Sequence, residues 1–350
     1  MTNKEKDTLV ILIPGFPGSE ADTNCLPMQQ RFIRNLKNGY PELNIIILAF
    51  QYPFRIDRYE WYNIPVRSFN GHNKGGINKL LLRRKIYCEL KKISNKYHLK
   101  GLLSFWYGEC ALAGKRFADK HGLKHFCWLM GQDARPGNKY PRRTRLQAGE
   151  LIALSDFLKE EFEKNHGISP LQVIPPGMDD SPVKTTERNI HIIGAGSLIK
   201  LKQFDIFLEI IAELKKTIPG IKAVLAGDGP EKKNLLQLVS GYGLQDNCFI
   251  TGEMPYKKMQ EQMQGSKILL HTSSYEGFSG VCQEALYNGA RVISFCRAMN
   301  RDIEGWDIVK SKEEMITKAL DILKNYPVIK TGNNSFLMND TARSVVDLFD

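Results

Sequence analysis

Two carboxylates separated by seven residues carry the clearest chemical signal in the sequence. Glu276 and Glu284 stand in the segment EGFSGVCQEAL, which follows an apolar run and leads through glycines and a serine into a helical pattern. Backbone N–H groups at the start of such a helix can hold a phosphate. Carboxylate oxygens in the loop and in the helix can accept hydrogen bonds from hydroxyl groups of a sugar or a ribose. We therefore predict a site for a phosphorylated sugar compound here.

Two other loops that follow predicted strands contain glycine. Gly15 and Gly18 lie in PGFPGS after the first strand, and Gly196 begins GSLIKLK after the first strand of the second half. Glycine lets a backbone approach a ligand, and Lys200 and Lys202 can act as point charges toward phosphate. Neither loop is a dinucleotide fingerprint or a Walker loop. A plain turn and a solvated lysine pair are the alternatives.

Five segments in the same order resemble those of the GT-B glycosyltransferases of family 4. The E-x7-E element of that family corresponds to Glu276 and Glu284. The other four segments are IPPGMD at 174–179, GSL at 196–198 with Lys202, LAGDGP at 225–230 and ITG at 250–252. Each is weak alone, but the ordered set is specific, and the resemblance is firmer in the second half of the chain.

The resemblance implies two Rossmann-like domains facing across a cleft and a sugar transfer that retains configuration. The donor would be a nucleotide-diphosphate sugar, a UDP-sugar or a GDP-sugar, bound by the C-terminal domain. The acceptor, a saccharide or a lipid-linked saccharide, would bind the N-terminal domain. No metal and no cofactor would be required, and the pathway would be surface-polysaccharide or glycoconjugate assembly.

The resemblance also implies roles for individual residues. Lys202 would neutralise the leaving diphosphate, Glu276 would hold the donor sugar, and Glu284 would bind the ribose. The backbone groups that would face the sugar and the phosphates belong to Gly277, Phe278, Ser279, Gly280 and Val281. Gly15 and Gly18 would let the first loop approach the diphosphate.

Two positions depart from the family pattern. Ser197 stands at the donor-binding position where the family has an arginine, and Arg297 or Lys200 are the candidate substitutes. Gln132 stands where many members have a catalytic histidine; its amide can still bind a sugar hydroxyl. These departures leave two alternatives open: a nucleotide-sugar epimerase of the same fold, and a member that binds nucleotide sugars without turnover.

A basic cluster follows Gln132 on the expected acceptor side. It comprises Arg135, Lys139, Arg142, Arg143 and Arg145, and Asp133 lies on the same predicted acceptor side. Cationic groups beside an acceptor site favour an acidic or phosphorylated acceptor.

The charge of the chain is concentrated in its first half. Residues 1–170 contain 28 Lys and Arg against 16 Asp and Glu, whereas the remaining residues contain 21 against 22. In Lys79–Lys100 the apolar residues at 80, 81, 82, 86, 87, 90 and 93 are interpreted as one helical stripe among seven Lys or Arg before Lys100. Such a helix can contact an anionic membrane, or it can pack on a sheet with a wet basic face. No nucleic-acid-binding motif accompanies the charge, so we expect no nucleic-acid partner.

Composition and cysteine usage predict a cytoplasmic protein, with peripheral contact at the inner face of the membrane as an open question. Of the 350 residues, 42% are hydrophobic and 25% charged, which is typical of a folded, soluble chain. The seven cysteines are scattered without a C-x-x-C pair, and the first ten residues contain no long apolar segment. We therefore expect neither a disulfide framework nor a secretory signal.

The elements that must position these residues alternate along the chain. Eleven short apolar runs without polar alternation, such as Thr8–Ile13 and Ala223–Ala226, are separated by helical patterns. This alternation predicts a doubly wound α/β architecture with parallel sheets buried on both faces. We expect an N-terminal domain at 1–176, a C-terminal domain at 177–334, and a final segment, 335–350, that returns to the first domain.

Overall fold

The chain divides into two α/β units, which a computed structural model describes over residues 6–179, 186–326 and 336–350. Unit 1 comprises Met1–Asp179 and Phe336–Asp350, and unit 2 comprises Asp180–Ser335. The division falls three residues beyond the predicted boundary at 176, and the chain re-enters unit 1 at Phe336.

Unit 1 contains an eight-stranded sheet. Its strands are β1 (Asp7–Gly15), β2 (Asn44–Tyr52), β3 (Ile56–Trp61), β4 (Ile64–Phe69), β5 (His98–Phe105), β6 (Lys124–Trp128), β7 (Leu151–Ala153) and β8 (Gln172–Val173), in the order β3-β4-β2-β1-β5-β6-β7-β8. Its helices are α1 (Pro27–Gly39), α2 (Gly76–Lys96), α3 (Glu109–His121), α4 (Tyr140–Thr144), α5 (Asp156–His166) and, from the end of the chain, α11 (Met338–Asp347).

Unit 2 contains a six-stranded parallel sheet. Its strands are β9 (Ile190–Ala195), β10 (Ala223–Ala226), β11 (Cys248–Gly252), β12 (Ser266–His271), β13 (Arg291–Ser294) and β14 (Trp306–Ile308), in the order β11-β10-β9-β12-β13-β14. Its helices are α6 (Phe204–Thr217), α7 (Lys232–Gly241), α8 (Tyr256–Gln264), α9 (Gly280–Tyr287) and α10 (Lys312–Lys324).

Burial on both faces explains the uninterrupted apolar runs. All residues of β1 from Leu9 to Ile13 are at most 1% exposed, and the central strands of unit 2 are similarly covered by helices. The predicted doubly wound α/β architecture is confirmed.

In each sheet one inner pair of strands, β1 with β5 and β9 with β12, marks the point where the strand order reverses. Loops that leave the carboxyl ends of such a pair diverge and leave room for a ligand.

The sheet of unit 1 also has an antiparallel edge, which the sequence analysis did not predict. Ile56–Trp61 and Ile64–Phe69 form an antiparallel hairpin at the edge of the sheet, around Tyr62 and Asn63, whose φ angles are 47° and 57°. Both strands alternate in burial. Alternation is typical of an edge with one wet face, and continuous apolar runs do not mark such strands. The sequence patterns also gave no indication of β14 and α4, which are only three and five residues long.

Helix α2 does not use its apolar residues as a single stripe. Leu82, Ile86, Leu90 and Ile93 are buried against the sheet, but Leu80 and Leu81 are exposed. The interpretation of all seven apolar positions as one face of this helix was therefore wrong.

The two crossings of the chain between the units are hydrogen-bonded to each other. The N–H of Met178 donates to the carbonyl of Phe336 at 3.0 Å, and the N–H of Met338 donates to the carbonyl of Met178 at 2.8 Å. The hydroxyl of Thr341 donates to the carbonyl of Pro175 at 2.9 Å. A Cβ at Gly177 would lie 2.3 Å from the backbone nitrogen of Met338, so only glycine fits this approach.

We predict that Gly177→Ala loosens the docking of α11 and destabilises unit 1 by about 1–3 kcal/mol, because backbone must move to admit the methyl group. The measurement is thermal unfolding together with the rate of proteolysis at the C-terminal helix. Gly39→Ala is the matched control, since no atom lies within 4 Å of a Cβ built there. Equal melting temperatures for the two variants would contradict the prediction.

Candidate functional site

A buried ion pair joins the loops after β9 and β12, where the strand order of unit 2 reverses. The ammonium of Lys202 contacts the carboxylate of Glu276, and both side chains are less than one-fifth exposed. The hydroxyl of Thr272 donates to the carbonyl of Lys202 at 2.8 Å, and the N–H of Ser274 donates to the carbonyl of Leu201 at 3.0 Å. The ion pair is therefore supported by backbone contacts between the two loops.

Glu276 carries a negative charge at neutral pH. Burial alone would raise the pKa of this carboxyl, but the contacts with His271 and with the Lys202 ammonium together outweigh burial, and the pKa is lowered to about 2. The hydroxyl of Ser273 donates to Oε1 of the same carboxylate at 3.2 Å. A fixed carboxylate beside a fixed ammonium can accept hydrogen bonds from sugar hydroxyls while the ammonium contacts an anion.

His271 orients the residues around this pair. Its Nδ1 lies 2.8 Å from Oγ of Ser294, which donates its own proton to the carbonyl of Cys296, so Nδ1 is the donor. Nε2 is then the acceptor for the hydroxyl of Ser279 at 3.1 Å, and it lies 3.5 Å from Glu276. Burial lowers the pKa of His271, which keeps the ring neutral. Its role is thus to position Ser279 and the loop.

The start of α9 is open to an anion. Ser279 occupies the cap position, but its hydroxyl contacts His271 and makes no capping hydrogen bond. The N–H groups of Gly280 and Val281 therefore lack that serine as a partner, and the positive end of the helix dipole points the same way. Phe278 is 8% exposed with its ring against Trp306, so its contribution toward a ligand would come from the backbone.

Glu284 lies one turn into α9 and is held by α8. Oε1 of Glu284 accepts from the hydroxyl of Tyr256 at 3.2 Å, and Oε2 accepts from Nε2 of Gln260 at 3.4 Å. The carboxylate is half-buried. Two hydrogen bonds from a neighbouring helix fix its orientation without neutralising its charge.

Close packing shapes the first loop of this site. A Cβ at Gly227 would lie 1.9 Å from the carbonyl oxygen of Gly196, and both residues have φ near 145°. Ser197 and Lys200 are exposed beside them. Arg297, the other candidate for the missing cation, pairs with Asp302 at the surface at 2.9 Å. The cation that contacts Glu276 is therefore Lys202, and neither Lys200 nor Arg297 is paired with that carboxylate.

Unit 1 contains a cavity of about 560 Å³ at the carboxyl ends of its central strands. We call it the unit 1 cavity. Its wall includes Pro14 of β1, Gln51 of β2, Trp106 after β5 and Gln132 after β6. The strand order of this sheet reverses at β1 and β5, so the cavity occupies the position expected for a ligand in an open parallel sheet.

Trp106 has an unusual backbone conformation in the wall of this cavity. Its φ is 67°, in the left-handed region that bulky residues rarely adopt. The N–H of Trp106 donates to the carbonyl of Trp128 at 3.1 Å, and its own carbonyl accepts from the N–H of Gly108 at 2.9 Å. Strained backbone held by its surroundings is concentrated at functional sites. A partly exposed indole in such a wall offers a flat apolar face to a ligand.

A charged cluster that the sequence analysis did not identify forms another part of the wall. Glu109 accepts two hydrogen bonds from Arg83, at 2.6 and 2.8 Å, and contacts Lys79 at 2.7 Å and the hydroxyl of Tyr140. Burial raises the pKa of Glu109, but these donors outweigh it and lower the pKa to about 2. The cluster ties α2, α3 and α4 together. The signal that could have found it is the Gly-Glu pair after the aromatic end of β5.

The predicted acceptor-side residues separate in the structure. Gln132 is exposed and lines the unit 1 cavity, as does Arg135. Arg142 and Arg143 are exposed on α4 outside the residues that line it. Asp133 is 4% exposed, and its Oδ2 accepts from the N–H groups of Met130 and Tyr107 at 2.8 and 2.9 Å. It therefore holds loops in place.

Gly15 and Gly18 lie in the loop after β1. The N–H of Phe16 donates to the carbonyl of Tyr52 at 3.1 Å, and the carbonyl of Gly18 accepts from Arg55 at 2.9 Å. The loop is thus anchored within unit 1 to the chain that follows β2.

Metal-ligating clusters and membrane-spanning helices are both absent from the described ranges, 6–179, 186–326 and 336–350. Within these ranges, His, Cys, Asp and Glu do not gather in a group of three or more that could hold a metal ion. Helices in the same ranges are all too short or too polar to cross a membrane.

Comparison with known proteins identifies relatives of unit 2. Residues 179–325 match the family model of glycosyl transferases group 1. A phosphatidylinositol N-acetylglucosaminyltransferase subunit from Arabidopsis thaliana is 26% identical over 164 residues, 45% of this chain and 37% of that protein. The amylovoran biosynthesis glycosyltransferase AmsD from Erwinia amylovora is 30% identical over 137 residues, 38% of each protein. The chain thus spans little more than a third of the curated relatives it matches.

A solved structure extends the likeness over both units. Alr3699/HepE from Anabaena, crystallised with UDP and glucose, has a TM-score of 0.69 and covers 97% of this chain and 98% of its own, at 16% identity. The predicted GT-B fold is confirmed by this likeness.

We predict that the stability of unit 1 falls as the pH rises through 7, because burial raises the pKa of Asp133 from 3.8 to about 7. The folded state then binds this proton more tightly than the unfolded state, so the contribution is fully present below pH 3.8 and is lost progressively as the pH rises to about 7. Between about pH 5.5 and 8.5 the loss is about 1–2 kcal/mol.

The measurement is urea unfolding of the wild type and of Asp133→Asn at both pH values. The amide oxygen of the variant can accept the same two N–H groups without carrying a charge. The variant should therefore gain stability relative to the wild type at the higher pH. A difference between the two proteins that does not change with pH would refute the assignment.

Proposed function

We propose that this protein is a retaining, metal-independent glycosyltransferase, because residues 179–325 match the family model of glycosyl transferases group 1 and the chain has the GT-B fold. It transfers a sugar from a UDP-sugar or GDP-sugar to a saccharide or lipid-linked acceptor. The observation that carries the proposal is the buried Lys202–Glu276 pair beside the open start of α9.

The donor chemistry follows from where charge develops. When the bond to the transferred sugar breaks, negative charge grows on the leaving diphosphate. The Lys202 ammonium and the N–H groups of α9 are fixed in advance to stabilise that charge without a metal. Glu276 accepts hydrogen bonds from hydroxyls of the sugar, and Glu284 accepts them from the ribose. No side chain is required to attack the sugar if the acceptor oxygen enters on the face that the diphosphate leaves.

The acceptor binds the unit 1 cavity. Trp106 supplies an apolar face for a sugar ring, and Gln132, Gln51 and Asn73 supply amides for its hydroxyls. A place in polysaccharide or glycoconjugate assembly is supported by the relatives, one of which is named for amylovoran biosynthesis and another of which has phosphatidylinositol in its name.

We predict that one nucleotide series stabilises the protein with and without EDTA. The measurement is a thermal-shift screen with UDP, GDP, ADP and their common sugars. A ligand at a hundred times its dissociation constant adds about 2.7 kcal/mol of stability. Glu284→Ala should abolish the shift.

Lys202→Gln should lower the rate of sugar transfer roughly 100- to 1,000-fold, measured as nucleotide diphosphate released from the donor. Lys222→Gln, exposed before β10, is the matched control and should leave both readouts unchanged.

Each outcome of that experiment discriminates among the functions. A folded protein that no nucleotide stabilises would refute the donor site. Binding without transfer or hydrolysis would assign the chain to the non-catalytic alternative, and epimerised nucleotide sugar would assign it to the epimerase alternative. Proton NMR of the anomeric linkage in the product tests retention directly.

We predict that Trp106→Ala weakens saccharide binding to unit 1 roughly 10- to 100-fold, because an apolar face for the sugar ring is lost. Saturation-transfer NMR with methyl glycosides measures the effect. Trp106→Phe keeps a ring at the same position and should retain most of the affinity. The nucleotide thermal shift should be the same in both variants. Equal loss of nucleotide and saccharide binding in Trp106→Ala would contradict a local role.

A further inference from the structure

Helix α2 presents large apolar side chains to solvent as well as to the core. Ile77, Leu80 and Leu81 are 76%, 61% and 49% exposed. Their spacing of three and four residues places them on one face of the first turns. At about 100° per residue, this face lies roughly half a turn from the buried side chains of the same helix. We call these three residues the α2 apolar face.

Basic residues continue the same side of the helix. Arg84 and Lys91 follow the apolar face at helical spacing and are exposed. The helix contains seven Lys and Arg and one acidic residue, Glu89. Glu89 is 7% exposed and its carboxylate pairs with Arg58 and Arg67. The acidic group is therefore turned inward and already neutralised, so the outer side of α2 is apolar and cationic.

We propose that the α2 apolar face docks on the surface of an anionic lipid bilayer. Aliphatic side chains at one end of the helix can enter the interface between headgroups and acyl chains, while the lysine and arginine side chains contact anionic headgroups. The pairing of exposed aliphatic groups with a surplus of cations on one helix favours a lipid surface, since the cations complement lipid phosphate.

The docking site adjoins the unit 1 cavity. Gly75 and Lys79 belong to the start of the same helix and line that cavity. A bilayer against the α2 apolar face therefore lies next to the site proposed for the acceptor saccharide. This consequence rests on the proposed function, whereas binding to the bilayer itself does not depend on a donor or on turnover.

The test is sedimentation of the full chain with vesicles of phosphatidylcholine alone or with about 30% phosphatidylglycerol. The wild type should bind the anionic vesicles and not the neutral ones. The triple variant Ile77→Ser, Leu80→Ser, Leu81→Ser should bind at least tenfold more weakly. Neutralising Arg84, Lys85 and Lys91 to Gln should weaken binding roughly 100-fold, because each cation near the surface contributes about a factor of five.

Matched controls separate position from composition. Leu171, Leu236 and Phe249 are also exposed, by 64%, 48% and 53%, and their joint replacement by Ser should leave binding unchanged. Lys233→Gln, Lys257→Gln and Lys258→Gln in unit 2 serve the same purpose for charge.

The variants also keep the two proposals distinguishable. All of them should melt at the wild-type temperature and keep the nucleotide thermal shift, so failure of docking would leave the donor site intact. Three outcomes would overturn the docking proposal: no binding of the wild type to anionic vesicles, equal binding of the apolar triple variant, or a wild-type dimer in solution that this variant dissociates. The last would assign the face to a second copy of the chain.

Discussion

The pair of opposite charges between Lys202 and Glu276 is the constraint on which the arrangement of unit 2 depends. Each charge is largely removed from water, and removing one partner of a buried pair typically costs about 3–5 kcal/mol because the other is left uncompensated. The pair therefore fixes the loops after β9 and β12 relative to each other. His271 completes the arrangement by drawing the hydroxyl of Ser279 away from α9, which leaves the start of that helix open to an anion.

Unit 1 uses the corresponding edge of its own sheet for different chemistry. Several of its charged side chains pair with one another in the wall of the cavity, where Glu109 accepts hydrogen bonds from Arg83 and contacts Lys79. The wall of the unit 1 cavity contains an indole and several amides, together with Lys74 and Arg135. The same topology thus carries different side chains in the two units, because the loops differ while the strands are alike.

Short-range features of the sequence were sufficient to predict the central strands, whereas the roles of the unit 2 site residues stay predictions. The apolar runs are continuous because the strands are buried on both faces, and Glu276 and Glu284 share one local segment. The hairpin of β3 and β4 was missed because its residues alternate. The charged cluster in the wall of the unit 1 cavity was missed for another reason: Lys79 and Tyr140 are 61 residues apart, and only tertiary packing brings them together. The two faces of α2 were confused because its apolar residues are adjacent in sequence.

The hydrogen bonds between residue 178 and residues 336 and 338 have a consequence for how such a chain is assembled. Unit 1 is discontinuous and unit 2 is one uninterrupted insertion, whose two ends leave and rejoin unit 1 at neighbouring points. An inserted domain whose two ends are adjacent can be exchanged for another domain of the same fold without a change in the path of the surrounding chain. Recombination at this seam would combine an inherited unit 1 with a new unit 2, and each of the two could then diversify independently.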